Sequence, residues 1–295
     1  MSTQPLVRME NVTKIYNTGG LLNSNAVPVV NGISLDIARS EIVGLVGESG
    51  SGKSTLGRMV LRLETLSGGK LWFDGQDITE ATRREMRPLR KSMQVVFQDP
   101  YAALSPRMRV GDFVAEPLRV HDNGGGLERE QRVAELFKTV GLDPALMKRW
   151  PHEFSGGQRQ RVCIARAIAS KPSFIVADEP ITALDVSIQA QIVNLFKELQ
   201  QKMGLSYLFI AHDLSMVRYL CDRVAVMLRG RIVEMGPTAS VFNNPLHPYT
   251  QALLSAVPVP DPDVERSRRR LLFDPGAHSP GERLEEKAPN HFLLV

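Results

Sequence analysis

One glycine-rich loop constrains the fold of this chain more than any other stretch of its sequence. The loop follows the apolar run Ile42–Val46, which is predicted to be a buried strand, and precedes apolar residues at helical spacing, Leu56, Met59 and Leu63. A strand, a glycine-rich loop and a helix in this order are the setting of a phosphate-binding loop. Its residues are Gly47, Glu48, Ser49, Gly50, Ser51, Gly52, Lys53, Ser54 and Thr55.

The composition of this phosphate loop suits a nucleoside triphosphate. Glycines permit positive φ and let backbone N–H groups approach phosphate oxygens closely. The helix that begins near Gly52 points its free N–H groups at the same place. Lys53 adds a full positive charge for the β- and γ-phosphates, and the hydroxyl of Ser54 is placed to ligate Mg²⁺. The loop does not indicate what hydrolysis of the nucleotide drives.

Length, charge and cysteine content limit the class of protein. The chain has 295 residues, enough for an α/β core with an added subdomain. It has no apolar run near the ~18 residues of a membrane helix and no secretory signal, which fits a cytosolic location. Cys163 and Cys221 form no CxxC, which argues against a disulfide framework, a zinc site or an iron–sulfur cluster. The net charge of +4 fits an ordinary surface, so nucleic acid is not expected as a partner.

Hydrophobic patterns predict an α/β chain with a helical insertion. Strands are predicted at Leu6–Tyr16, Ile33–Ile37, Lys70–Phe73, Met93–Phe97, Ser173–Ala177, Tyr207–Ala211, Val224–Leu228 and Ile232–Met235. Helices are predicted at Thr82–Lys91, Val110–Val120, Leu127–Val140, Ser155–Ser170 and Ser187–Met203. No strand is evident between Val110 and Pro151. A loop or loose hairpin is predicted at Thr18–Pro28, a flexible break at residues 122–126, and irregular structure over about the last thirty residues because prolines follow Val257.

A second motif is an apolar strand that ends in two acids, Asp178 and Glu179. Ligands of open α/β sheets bind at the carboxyl ends of the strands. Asp178 would hold Mg²⁺, directly or through water. Glu179 would polarise the water that attacks the γ-phosphate, and such a base typically contributes ~10²–10⁴-fold in rate. Without the phosphate loop, the pair is more simply a solvated acidic loop.

A third motif begins the helix predicted at Ser155. Ser155 and Gln158 have the spacing of a capping box. Gly156 and Gly157 lie between them, and each glycine in a first helical turn costs roughly 1 kcal/mol relative to alanine. A purely structural helix has no evident use for this cost, whereas close approach of the backbone to a phosphate explains it.

These motifs together resemble those of the ATP-binding cassette (ABC) ATPases. The segment Phe154–Arg161 resembles the signature motif of that family. The phosphate loop, Gln98, the Asp178–Glu179 pair, Ala183-Leu184-Asp185 and His212 follow in the order of the family, over about Leu6 to Met235. Two small departures, Phe154 where leucine is commonest and Thr182 where serine is usual, remove no catalytic group.

The resemblance implies a role for each residue at a matching position. Tyr16 would stack on adenine, although a lone tyrosine on a strand is more simply edge packing. Gln98 would contact Mg²⁺ and the lytic water, and His212 would reach the γ-phosphate. Asp185 would lie across a dimer interface. Ser155, Gly156, Gly157 and Gln158 would contact ATP held by the opposite subunit. The implied catalytic residues are Glu179, His212, Gln98 and Lys53, and the implied metal ligands are Ser54, Gln98 and Asp178.

The resemblance also implies the fold class, an α/β P-loop (RecA-like) core with an antiparallel β subdomain, an inserted helical subdomain and a short C-terminal extension. The core and β subdomain would comprise residues 1–98 and 165–240. The helical subdomain, residues 99–164, would carry the signature motif and dock a permease, with Gln98 as its hinge. The extension, residues 241–295, would end in an irregular tail.

The extension resembles one branch of the family. The segments Asn244–Thr250 and Leu253–Pro258 resemble the C-terminal region of ATPases from oligopeptide and dipeptide transporters. Pro151–Gln158 and Gln98–Tyr101 resemble the same peptide and nickel importer branch. Some relatives hold an iron–sulfur cluster in a cysteine-bearing tail, but this chain has no cysteine after Cys221.

The function implied is that of an ATP-binding and ATP-hydrolysing subunit, with ATP and Mg²⁺, that energises a bacterial importer of oligopeptides or dipeptides. It would lie at the cytoplasmic face of the plasma membrane, bound to permease subunits and to a second ATPase subunit, either a related chain or another copy, and would serve a solute-binding protein indirectly. The alternatives are an importer of nickel, glutathione or another small solute, or a soluble ABC ATPase of translation or DNA repair. A single cassette without sustained heptads disfavours the soluble ATPase, and the signature helix disfavours a simple nucleotide switch.

Overall fold

Two β-sheets organise the fold. The structure is a computed structural model, and it describes residues 4–18, 25–121, 125–182, 184–257, 270–274, 281 and 283–295. The strands are β1 (Val7–Thr18), β2 (Asn25–Ile37), β3 (Ile42–Val46), β4 (Gly68–Phe73), β5 (Gln76–Asp77), β6 (Met93–Val96), β7 (Phe174–Asp178), β8 (Ser206–Ile210), β9 (Arg223–Leu228), β10 (Arg231–Pro237), β11 (Leu284–Ala288) and β12 (His291–Leu294). The smaller sheet has the order β2-β1-β4-β5 and is antiparallel.

The larger sheet has the order β11-β12-β10-β9-β3-β8-β7-β6. The strands from β9 to β6 run parallel, and the β10 end of the sheet is antiparallel. Strands β3, β7 and β8 are buried along their whole length, which explains why their sequences are mainly apolar. Alternate residues of β3 point to opposite faces, so Val43 and Leu45 pack with the smaller sheet while Ile42 and Val46 pack with the helices.

The helices cover the larger sheet and form the predicted insertion. They are α1 (Lys53–Val60), α2 (Arg83–Leu89), α3 (Pro100–Ala103), α4 (Val110–His121), α5 (Gly126–Thr139), α6 (Gly156–Ile168), α7 (Val186–Met203), α8 (Leu214–Leu220), α9 (Thr238–Asn243) and α10 (Pro248–Ser255), with 3₁₀ turns at Pro144–Lys148 and Pro151–Glu153. From α3 to α6 the described chain contains no strand, which confirms the helical insertion. Its core includes the buried residues Val110, Val114, Leu118, Val133 and Phe137.

The predicted strands and helices are confirmed, with ends that differ by a few residues, except that β2 begins eight residues before the predicted Ile33. The sequence missed the helices α3, α8, α9 and α10 and the short strand β5. Asp99 begins α3 by accepting a hydrogen bond of 2.7 Å from the backbone N–H of Tyr101. The segment Thr18–Pro28 contains the start of β2, which pairs with β1 as a hairpin. The parts of these predictions that fall on residues 19–24, 122–124, 258–269, 275–280 and 282 lie outside the described residues.

The irregular structure predicted for the last residues is wrong for Leu284–Leu294. Strands β11 and β12 form a hairpin through Asn290, and β12 pairs with β10 at Glu234↔Leu293 and Met235↔Phe292. The sequence of β11, Leu-Glu-Glu-Lys-Ala, has low strand propensity. Its strand conformation therefore comes from pairing with a distant edge of the sheet, which local patterns do not reveal.

Helix α7 packs on the larger sheet through one aromatic contact set. The ring of Phe196 meets Tyr207 and Phe209 of β8 edge to face, with centroid distances of 5.5 and 5.6 Å. All three side chains are buried. Such aromatic pairs stabilise the fold beyond the free energy of simple apolar burial.

Among the residues that the structure describes, no helix is long and apolar enough to cross a membrane.

We expect the substitution F196A to lower the free energy of unfolding by about 3–5 kcal/mol, because it leaves a cavity between α7 and the sheet. Urea unfolding of the purified chain measures this loss. The matched control is V186A at the exposed start of the same helix, where Val186 is 78% exposed and the expected change is within about 0.5 kcal/mol. Equal losses in the two variants would contradict the packing role of Phe196.

Candidate nucleotide-binding site

The phosphate loop lies between β3 and α1 and is closely covered by neighbouring backbone. Gly47 has a φ of 150°, and a Cβ added there would lie 2.1 Å from the carbonyl oxygen of Met227 in β9. Gly52 has a φ of 102°, and its Cβ would lie 2.3 Å from the carbonyl oxygen of Val29 in β2. Real Cβ atoms do not approach other atoms so closely, so these two positions admit only glycine.

The ammonium group of Lys53 is buried within the loop. Its Nζ donates hydrogen bonds of 2.8 Å to the carbonyl oxygens of Gly47 and Glu48. Burial lowers the pKa of Lys53, and the carboxylates of Glu179, Asp178 and Glu48 oppose this shift in that order. The site therefore contains a desolvated cation, held by loop carbonyls, at the point where the sequence predicts phosphate binding.

Ser54 and Asp178 meet across the junction of α1 and β7. The hydroxyl of Ser54 donates a hydrogen bond of 2.8 Å to Oδ1 of Asp178. Burial raises the pKa of Asp178, and the hydrogen bond from Ser54 is the largest effect in the opposite direction. The structure thus brings together two of the predicted metal ligands, and both offer oxygen atoms.

Glu179 is the point at which three strand ends converge. Its Oε2 accepts a hydrogen bond of 2.6 Å from Nε2 of Gln98, which follows β6, and its Oε1 contacts Nε2 of His212, which follows β8. The backbone of Glu179 has a φ of 48° and donates to the carbonyl oxygen of Ile210 over 3.0 Å. A non-glycine residue in this region costs of order 1–3 kcal/mol and is characteristic of functional sites. The structure therefore brings Gln98, Glu179 and His212 together as the sequence motifs predict.

The Ser155–Gln158 turn has the capping geometry that the sequence predicts. Ser155 Oγ accepts from the Gln158 N–H over 3.3 Å, and Gln158 Oε1 accepts from the Ser155 N–H over 3.0 Å. A Cβ at Gly157, however, would lie 2.5 Å from Cγ2 of Ile188 in α7. The expectation that a structural helix has no use for these glycines is therefore wrong at Gly157, since close packing of α6 on α7 requires it.

The signature helix also contacts the segment after Gln98. The guanidinium of Arg159 lies 4.0 Å from the ring centroid of Tyr101 in α3, and its Nε donates to the carbonyl oxygen of Pro151 over 2.8 Å. This stack joins the segment after Gln98, which is predicted to belong to the permease-docking subdomain, to the helix whose start is predicted to contact ATP. Tyr101 and Arg159 both lie in segments that resemble motifs of the ABC ATPases, but nothing in the sequence indicates that the two side chains touch.

Three of the predicted binding elements make no hydrogen bond to the phosphate loop among the described residues. They are Tyr16, Asp185 and the Ser155–Gln158 turn. Tyr16 lies near the end of β1, half-buried, with Nζ of Lys14 at 5.0 Å from its ring centroid. Asp185 is exposed at the start of α7, and the neighbouring Ala183 lies outside the described residues. The loop, by contrast, receives an unpredicted contact from Tyr249, whose hydroxyl accepts from the Glu48 N–H over 2.9 Å.

A parallel sheet with a phosphate loop, a serine–aspartate pair and a glutamate at neighbouring strand ends defines a P-loop nucleotide-binding protein. The family model described as ABC transporter matches residues 30–182, and that of the oligopeptide/dipeptide transporter C-terminal region matches residues 233–280. The chain belongs to the ABC transporter family and is an ATPase of that family.

Similar curated proteins agree with this assignment. The chain is 54% identical to the oligopeptide transport ATP-binding protein OppF of Bacillus subtilis, over 91% of this chain and 90% of the relative. It is 50% identical to the dipeptide transport ATP-binding protein DppF of Lactococcus lactis, over 99% of this chain and 95% of the relative. Among solved structures, a dimeric post-hydrolysis state of the ATP-binding cassette MJ0796 bound to ADP and Pi matches with a TM-score of 0.71 and 29% identity, over 79% of this chain and 98% of that chain.

The raised pKa of Asp178 gives a prediction about stability. Since burial raises this pKa, folding favours the protonated carboxyl, and stability falls as pH rises from the unfolded pKa through the folded one. At pH 8 the ionised carboxylate destabilises the folded chain. We therefore expect D178N to raise the melting midpoint at pH 8 by about 1–3 °C, with a gain that shrinks as the pH falls.

Differential scanning calorimetry without nucleotide measures this gain, and D77N serves as the control with the opposite sign. Hydrogen bonds from the side chain and then the backbone of Thr79 lower the pKa of Asp77, so its ionised form stabilises the fold. D77N is expected to lower the midpoint at pH 8. A lower midpoint for D178N as well would show that the Asp178 carboxylate does not destabilise the fold.

Proposed function

We propose that this chain is the ATP-binding and ATP-hydrolysing subunit that energises a bacterial importer of oligopeptides or dipeptides. The observation that carries the proposal is the convergence of Gln98 and His212 on Glu179, beside the Ser54–Asp178 pair. The match of residues 233–280 to the C-terminal region of oligopeptide and dipeptide transporters supports the class of substrate. The names of the relatives OppF and DppF point to the same class.

The roles of the site residues follow from their chemistry. The phosphate loop, residues 47–55, would hold the phosphates of ATP through its N–H groups and the ammonium of Lys53. Ser54, Gln98 and Asp178 would hold Mg²⁺, since hydroxyl, amide and carboxylate oxygens are the hard donors that this ion prefers. When bound, the ion would neutralise charge on the phosphates.

Glu179 would accept the proton of the attacking water as general base. Gln98 and His212, which each contact one oxygen of its carboxylate, would orient it and reach toward the γ-phosphate. Tyr16 would stack on the adenine of the same ATP. These groups lie at the ends of three neighbouring strands, so the sheet fixes their relative positions.

Among the described residues the Ser155–Gln158 turn makes no hydrogen bond to the phosphate loop of its own chain, which supports a site shared between two subunits. In the proposed dimer this turn of one subunit, with Gly156 and Gly157, closes over the γ-phosphate held by the other, and Asp185 lies across the interface. The second subunit is a related chain or another copy of this one. The dimeric state of the neighbour MJ0796 supports this arrangement.

The subunit would bind permease subunits at the cytoplasmic face of the plasma membrane as a peripheral protein, and would serve a solute-binding protein indirectly. In this proposal the ATP-binding core comprises residues 1–98 and 165–240, the helical subdomain residues 99–164, and the extension residues 241–295. The helical subdomain would dock the permease. Contact between Tyr101 and Arg159 supports a link from the segment after Gln98 to the signature helix.

Substitution E179Q is expected to reduce ATP hydrolysis by about 10²–10⁴-fold, because an amide cannot accept the proton of the water. Binding of ATP should persist, and a closed dimer should accumulate with ATP. Phosphate release measures hydrolysis, and size-exclusion chromatography with ATP measures the dimer. E198Q, at an exposed glutamate that pairs with Lys202, is the matched control with unchanged hydrolysis. Full hydrolysis by E179Q would exclude Glu179 as the base.

Substitution Y101A is expected to uncouple hydrolysis from transport, because it removes the stack on Arg159 within the segment Tyr101–Met108. Transport should fall about fivefold more than ATP hydrolysis, the size of a coupling free energy near 1 kcal/mol. Peptide uptake and phosphate release in proteoliposomes that contain the complete importer measure both rates. L63A, at an exposed leucine outside the helical subdomain, is the control. Strictly proportional loss of the two rates would refute a coupling role.

A further inference from the structure

One peptide unit of the phosphate loop is held on both sides. The carbonyl oxygen of Gly47 accepts a hydrogen bond of 2.8 Å from Nζ of Lys53. The N–H of the same peptide, which belongs to Glu48, donates a hydrogen bond of 2.9 Å to the hydroxyl of Tyr249. Because hydrogen bonds on the two ends of an amide polarise each other, the two contacts are coupled. The orientation of this peptide therefore depends on a residue about two hundred positions further along the chain.

Tyr249 reaches the loop from the first turn of α10, and its own position is closely fixed. The side chain is 2% exposed, and its ring packs edge to face on Phe273 with a centroid distance of 5.3 Å. Its backbone N–H donates to Nδ1 of His247, the residue before α10, over 3.0 Å. Burial raises the pKa of Tyr249 to about 12, so the hydroxyl is neutral at physiological pH.

A buried carboxylate anchors the start of α10 to the larger sheet. Glu234 in β10 is 0% exposed. Its Oε1 accepts from the N–H of Leu246 over 2.9 Å and lies 2.7 Å from Nε2 of His291 in β12, and its Oε2 accepts from the N–H of His247 over 2.8 Å. A carboxylate without solvent requires such donors. The anchor therefore joins β10, the segment before α10 and the terminal hairpin.

We propose that Tyr249 is a positioning residue of the phosphate loop, and that the Glu234–His291 pair holds it in place, so that α10 and the terminal hairpin of β11 and β12 set the affinity of the site for nucleotide phosphates. The inference rests on the proposed binding of ATP by this loop. Tyr249 acts through the Gly47–Glu48 peptide, whose carbonyl oxygen orients Lys53. The catalytic residues Glu179, Gln98 and His212 do not take part in this contact.

A second buried tyrosine, Tyr207, provides a control that distinguishes the positioning role of Tyr249 from simple packing. Tyr207 in β8 is as deeply buried as Tyr249, but its hydroxyl has no hydrogen-bond partner among the described residues. Replacing either residue with phenylalanine removes one hydroxyl from the interior and keeps the ring. Only Y249F removes a contact to the phosphate loop, so the two variants form a matched pair.

The experiment compares the full-length chain with Y249F and Y207F by calorimetric titration with ATP and with ADP. Y249F is expected to bind both nucleotides about three- to tenfold more weakly, the effect of one lost net hydrogen bond, because both share the phosphates that the loop holds. Y207F is expected to bind them with unchanged affinity. E234Q, which replaces one acceptor oxygen of the anchor with an amide nitrogen, is expected to weaken binding in the same direction as Y249F.

Hydrogen exchange measures the opening of individual amides, so it distinguishes a local change in the phosphate loop from a general loss of stability. Without nucleotide, Y249F is expected to speed exchange of the amides in residues 47–55 and to leave those of β3 and β8 unchanged. Faster exchange throughout the sheet would show a general loss of stability and would overturn the positioning role.

The proposal is also overturned if Y249F binds ATP with the affinity of the unsubstituted chain, or if Y249F and Y207F weaken binding equally. These results differ from failure of the proposed function. If the unsubstituted chain itself does not bind ATP, the assignment of the phosphate loop fails. If it binds ATP and Y249F does not alter the affinity, only the inference about Tyr249 fails.

Discussion

The buried ammonium of Lys53 is the charge around which the site is built. A desolvated cation needs acceptors, and the carbonyl oxygens of Gly47 and Glu48 provide them at 2.8 Å. Those oxygens converge only because the loop passes through conformations open to glycine, beneath backbone from β2 and β9. The packing of the smaller sheet on the larger one is therefore a condition for the lysine's position. Nearby carboxylates, from Asp178 and Glu179, oppose the effect of burial on its pKa.

The order of the parallel strands brings the remaining groups together. Strands β6, β7 and β8 are neighbours in the sheet, although long stretches of chain separate β6 from β7 and β7 from β8. Their carboxyl ends supply Gln98, Glu179 and His212, which meet at one carboxylate. Strands β7 and β8 are buried along their whole length and are mainly apolar, so the hydrophobic runs in the sequence and the geometry of the site have the same cause.

The sequence predicts most of the fold and the identity of the residues that meet at Glu179, because motifs and apolar runs are local properties. It does not predict contacts made at long range. Strand β11 has little strand propensity of its own, Gly157 is required by Ile188 in another helix, and the hydroxyl of Tyr249 reaches a loop that no local pattern connects with it. Each of these features depends on a partner far along the chain.

The pairing of β12 with β10 has a consequence for folding. Glu234 and His291 are 57 residues apart, so the edge of the larger sheet closes only when two segments far apart in the sequence meet. Until then one edge of β10 has unpaired backbone donors and acceptors, and the side chain of Glu234 lacks its contact with His291. An open strand edge is a template for pairing with other chains. Once paired, the last strands thus protect the folded chain against association through the β10 edge, quite apart from any part they have in binding nucleotide.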